Sequence, residues 1–152
     1  MDNYILLWSF LVFISYLIYI VKQFGVLPSI SDSYYFTKKR LLFAMFIFSV
    51  VWPITWLGQQ SILMQLAGGV LSFVGVAAGF NDSKIEKFVH FTGAVLGFTF
   101  AFIAVGLMFG TWWLSFIMVA VVSLFNLIKL PNKTWWIEVV GFVLLMLGFL
   151  IK

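Results

Sequence analysis

Apolar residues run almost unbroken through six stretches, near 4–22, 40–58, 61–80, 88–108, 111–129 and 134–151, with polar residues gathered between them. Each stretch is close to the ~20 residues that carry a helix across a bilayer. Leu, Phe, Gly and Ala fill them continuously, without the alternation expected of a transmembrane barrel strand. The pattern predicts an all-α, polytopic membrane protein: six transmembrane helices in one compact bundle, residues 1–152 forming a single domain. The first stretch carries Asp2 in place of a basic lead-in, is too long for a signal peptide and lacks a small-residue cleavage site, so a retained helix is expected.

The breaks are informative. Loops two and four, at 58–60 and around Gly110, are so short that helices two and three, and helices four and five, should form antiparallel hairpins. Stretch 23–37, with Gly25, Pro28, Ser29, Ser31, Asp32 and Ser33, is too polar to span and too long for a simple turn, so it is expected to fold over the mouth of the bundle. Pro53 should kink helix two. Small residues recur at helical spacing in helix three (Gly68, Ser72, Gly75, Gly79) and helix four (Gly93, Ala94, Gly97, Ala101), and His90 shares the latter face. Glu138 shares a face with Gly141, Leu145 and Gly148 in helix six. Such stripes let helices approach closely, which points His90 and Glu138 into the bundle. No internal repeat supports an inverted-repeat transporter.

Composition agrees: 64% of residues are hydrophobic and 9% charged, too few polar groups to clothe a soluble core. Lys22, Lys38, Lys39, Arg40, Lys84, Lys87, Lys129 and Lys133 flank or lie in loops one, three and five, whereas Lys152 lies on the other side. The positive-inside rule then puts loops one, three and five in the cytoplasm and both termini outside. Trp56, Trp112 and Trp113 would anchor one interface and Tyr19, Tyr34, Trp135 and Trp136 the other. The net charge of +4 suits anionic lipid headgroups. The basic residues are too scattered for a nucleic-acid surface. There is no cysteine, hence no disulfide or thiolate ligand.

His90 is the sole histidine and Glu138 an acidic residue inside an apolar helix, where ionisable groups are usually paired or functional. At similar depth they could form a hydrogen-bonded acid and base pair, joined by Asp32 from loop one. Each also has a plainer reading. His90 could bond a backbone carbonyl and hold helix four to a neighbour. Glu138 could sit in the first turn of its helix and snorkel toward water. Ser31 and Asp32 could cap a short helix from Ser33 to Arg40. Asp82, Ser83 and Glu86 read as a capping box opening helix four. Asn126 and Ser123 could add hydrogen bonds to the same vestibule. One histidine and no cysteine disfavour a zinc site, and no phosphate loop, dinucleotide fingerprint or nucleophile elbow occurs, so neither metal nor cofactor is expected.

Pro28-Ser29-Ile30-Ser31-Asp32, the pair Gly79-Phe80-Asn81 and Val89-His90-x-x-Gly93-Ala94-x-Leu96-x-Phe98, and Glu138 with Gly141 and Phe142 together resemble motifs of the DRAM-like family of six-helix membrane proteins. That family includes autophagy modulators and relatives tied to GPI-lipid remodelling and lipid distribution. Val139 stands where the family has tryptophan, and the family's motif-bearing loop is drawn as extracytoplasmic, opposite to the charge-based orientation. The resemblance reaches Asp32, His90 and Glu138 again. These readings lead to a membrane protein that binds or handles a lipid at a polar vestibule on one membrane face, with Ser31, Asp32, His90, Asn126 and Glu138 as ligand-binding candidates. His90, Glu138 and Asp32 are the candidates for acid and base chemistry, though no nucleophile is evident. A non-catalytic structural or regulatory protein with a protein partner or second copy, and a proton-linked channel or carrier, are the alternatives.

Overall fold

A computed structural model describes residues 2–37, 40–77 and 83–151. Lys38, Lys39, Gly79, Phe80, Asn81, Asp82 and Lys152, named above, lie outside the described residues, as do the side chains of Arg40, Ser83, Lys84, Glu86 and Lys87. The described chain is helical, in the order α1 (Asp2–Phe24), α2 (Ser33–Thr37), α3 (Arg40–Leu57), α4 (Ile62–Ala77), α5 (Ser83–Phe109), α6 (Trp112–Leu127) and α7 (Lys133–Leu150). α1 packs on α3, α3 on α4, α4 on α5, and α7 closes the ring against α1 and α5, while α6 leans on α5 and α7.

The expectation of six full-length spans is corrected. Among the described residues, three helical segments are long and apolar enough to cross a membrane: Tyr4–Phe24, Phe88–Phe109 and Lys133–Leu150. The other apolar helices, Leu41–Leu57, Ile62–Val76 and Trp112–Leu127, are shorter. At ~1.5 Å per residue they reach roughly 22–26 Å, against ~30 Å of hydrocarbon. Gly58 to Gln60 form the turn that the sequence predicts as loop two, whereas Lys129, inside the fifth apolar stretch, turns back with φ 50°.

Two helices end on left-handed glycines. Gly25, at φ 78°, follows α1 and donates its amide to the Val21 carbonyl at 3.0 Å; Gly110, at φ 68°, follows α5 and bonds Gly106 at 2.9 Å. A side chain is disfavoured in that region, and glycine lets the chain reverse there. The stop at Gly110 makes the tight α5–α6 hairpin that the sequence predicts.

The two small-residue stripes face different neighbours. A Cβ on Gly68 or Gly75 of α4 would meet Thr55 or Ile47 of α3, whereas a Cβ on Gly93 or Gly97 of α5 would meet Val74 or Leu71 of α4. The stripes therefore stack three helices in sequence. Between α1, α3 and α7 the core is aromatic: Tyr16 stacks on Phe46 with centroids 3.9 Å apart, and Phe13 meets Phe142 at 5.1 Å. Tyr16 Oη and Ser33 Oγ share a buried hydrogen bond of 2.7 Å, which fixes α2 over the end of α1.

The outside is apolar as well. Trp52, Phe73, Phe91, Phe116 and Leu127 are each more than half exposed. So much exposed apolar surface suits a protein whose solvent is hydrocarbon.

Candidate functional site

The segment between α1 and α2 is stitched to the start of α7. Asn132 Nδ2 donates to the Val26 carbonyl at 3.0 Å, and the Trp135 amide donates to the Pro28 carbonyl at 3.1 Å. The latter bond satisfies one of the first-turn amides that a helix leaves without an internal partner. Glu138 Oε2 accepts the Ile30 amide at 2.5 Å, and Oε1 lies 3.4 Å from the donor Ser31 Oγ. Within the segment, Ser29 Oγ accepts the Asp32 amide at 3.0 Å and pairs with Ser31 Oγ at 2.8 Å. A loop that would otherwise be loose thus forms a fixed lid on the helical bundle.

Under that lid lies a cavity of about 1050 Å³. The cleft lies between α5 and α6 and is floored by the start of α7. Its long walls are Phe91, Val95, Phe98 and Phe102 of α5 against Trp112, Ser115, Met118 and Val122 of α6. These positions recur every three or four residues, one face of each helix. At the end away from the Gly110 turn the lining turns polar, with Ser29, Ser31, Asp32, Tyr34, His90, Asn126, Thr134 and Glu138. From His90 to Ile103 the cleft follows α5 for about 20 Å at 1.5 Å per residue. A Cβ on Gly141 would press against Phe98 and Met118, so glycine there keeps the floor low.

All five residues that the sequence marks as ligand-binding candidates, Ser31, Asp32, His90, Asn126 and Glu138, line this one cavity. Their bonding differs from the expectation. His90 and Glu138 do not form a hydrogen-bonded pair: the glutamate is engaged by the loop, and His90 Nε2 is buried with no partner among the described residues. The imidazole lies within reach of the Val74 backbone and beside the Phe43 ring, at 6.2 Å between centroids. Glu138 sits in the second turn of α7, not the first, and it turns to the loop amides instead of snorkelling. Asn126 spends its amide on its own helix, donating to the Val122 carbonyl at 2.8 Å, while its Oδ1 accepts from Lys133 Nζ at 2.6 Å. Ser123 is exposed and is absent from the cavity lining. Ser31 and Asp32 precede α2 as the capping reading requires, but Ser29 is the hydroxyl that accepts a loop amide.

Tyr34, which the sequence marks as an interface anchor and not as a ligand-binding candidate, belongs to the same site. It lines the polar end, is 3% exposed, and its Oη has no partner among the described residues. The available signal is its position two residues after Asp32 in the one long polar segment. Among the described residues no group of three or more His, Cys, Asp or Glu converges on a metal-sized site. No family model, curated protein or solved structure matches the chain.

Proposed function

We propose that this protein is an integral membrane lipid-binding protein that holds one lipid with its headgroup under the loop lid and an acyl chain in the α5–α6 cleft. The observation that carries the reading is the cavity's division into a polar end and a long apolar run. Its length of about 20 Å exceeds the ~15 Å of a single leaflet, half of a ~30 Å hydrocarbon core. Its volume reaches the upper end of the ~300–1,000 Å³ typical of small-molecule sites. The resemblance to DRAM-like proteins involves the same residues and forms part of this proposal.

The proposal extends to the shorter helices. α3, α4 and α6 also cross, packed between the three longer spans, with exposed Met45, Phe73 and Phe116 facing lipid. Local thinning of the bilayer accommodates their length at modest cost. Lys22, Lys129 and Lys133 flank the lid end, which the positive-inside rule places in the cytoplasm.

Binding, and not turnover, is the function the bonding favours. Ser29 and Ser31 hydroxyls bond each other, and among the described residues His90 Nε2 contacts no hydroxyl that it could activate.

Protein purified in mild detergent should carry a stoichiometric lipid, identified by mass spectrometry. Ala94 lines the cleft one turn from His90 and packs against the core, so Ala94→Phe is expected to abolish at least nine-tenths of that lipid, a loss of roughly tenfold or ~1.4 kcal/mol, at a cost of about 1–3 kcal/mol in stability. An unaltered lipid content in the folded variant would remove the basis of the proposal.

A further inference from the structure

Resting on the lipid-binding reading, we propose that the polar end of the cavity takes a positively charged ammonium headgroup, that of an amine-headed lipid. Two carboxyl groups, Asp32 and Glu138, line this end, and no Lys or Arg does among the described residues. Lys133, which begins the helix bearing Glu138, is instead turned onto Asn126. The chain's net positive charge therefore does not describe its cavity. An anionic headgroup would enter beside two carboxyl groups with no cation to neutralise it, an arrangement that desolvation makes costly.

The remaining groups fit an ammonium. It offers N–H donors and no acceptor, and a carboxylate accepts at about four lone-pair sites, so Glu138 retains capacity after binding the Ile30 amide. Tyr34 adds a second, independent indication: a hydroxyl on a side chain that is 3% exposed, lining the same end, with no partner among the described residues. Its oxygen can accept from the ammonium. Tyr35, packed 3.9 Å from the Tyr34 ring centroid, also lines this end and offers an aromatic face to a cation. His90 Nε2, likewise without a partner among the described residues, lines the same end and adds no positive charge to it as a neutral imidazole. This assignment replaces the anionic headgroup expected from net charge.

The test uses lipid-stripped protein in nanodiscs of equimolar phosphatidylethanolamine, phosphatidylcholine and phosphatidylglycerol, with retained lipid read by native mass spectrometry. Phosphatidylethanolamine, whose ammonium carries the N–H donors that phosphatidylcholine lacks, should be retained over phosphatidylglycerol by roughly tenfold, the worth of one charge-assisted contact. Asp32→Asn should bring that preference close to parity, and Tyr34→Phe should reduce it by roughly threefold without altering the loop bonds made by Glu138. Tyr34→Phe decides the matter if Asp32→Asn does not fold. Millimolar free ethanolamine should not displace the lipid, because the acyl chain supplies much of the binding. Preferred retention of phosphatidylglycerol, or an unchanged preference in both variants, would overturn the headgroup assignment while leaving lipid binding intact, whereas displacement by free ethanolamine would overturn the acyl-chain part of the lipid-binding reading. No retained lipid at all would overturn the lipid-binding reading itself.

Discussion

Glu138→Ala is expected to release the lid from α7, costing about 2 kcal/mol of stability and most of the bound lipid. The carboxylate is the acceptor for the Ile30 amide and for Ser31 Oγ, 108 and 107 residues away in sequence. Its removal leaves a buried amide unsatisfied, which costs about 1–3 kcal/mol. Glu138→Gln keeps one acceptor oxygen and should recover roughly half of that loss. Thermal unfolding in detergent reads the stability, and limited proteolysis between Gly25 and Ser33 reads the lid. A Glu138→Ala protein that melts as the parent does, with the segment still protected, would show that the carboxylate is not what holds the loop.

The second large effect belongs to the α4–α5 seam. A Cβ on Gly97 would fall against the Leu71 side chain, with the Leu71 backbone nitrogen 3.4 Å away behind it. Gly97→Leu should force the two helices apart and cost about 2–3 kcal/mol, the range of overpacking in a well-filled core. The same chain carrying Leu71→Ala should regain at least 1 kcal/mol or so, because the clash is with that side chain. Denaturant titration of the two single variants and the double variant measures the coupling. Additive effects would mean that the helices do not meet at these two residues.

What the sequence made legible is the part of the structure written in side-chain periodicity. Long apolar runs foretold helices, Gly110 foretold the tight hairpin, and Gly93 and Gly97 foretold a close seam on the His90 face. Stretch 23–37 foretold a polar segment folded over one end. The partners of those features were less accessible. Glu138 binds a backbone amide of Ile30, and backbone amides are the same at every residue, so nothing in the sequence marks that one. A carboxylate and a lone histidine at similar depth suggested a pair, but the loop amide claimed the carboxylate first. The cleft was hidden for a different reason: it is the space left between α5 and α6, and no residue type encodes a gap. A helix length was overestimated where apolar residues continue into a turn, as at Ile128.

The most direct measurement is photo-crosslinking with a phosphatidylethanolamine that carries a diazirine midway along one acyl chain, followed by mass-spectrometric mapping of the adducts. A lipid held as proposed should label Phe98, Thr99, Ser115 and Met118, which line the cleft, well above the exposed apolar faces at Trp52 and Phe73. Ala94→Phe should remove that excess. Labelling spread evenly over the lipid-facing surfaces of α3, α4 and α6, with no excess in the cleft, would contradict the account.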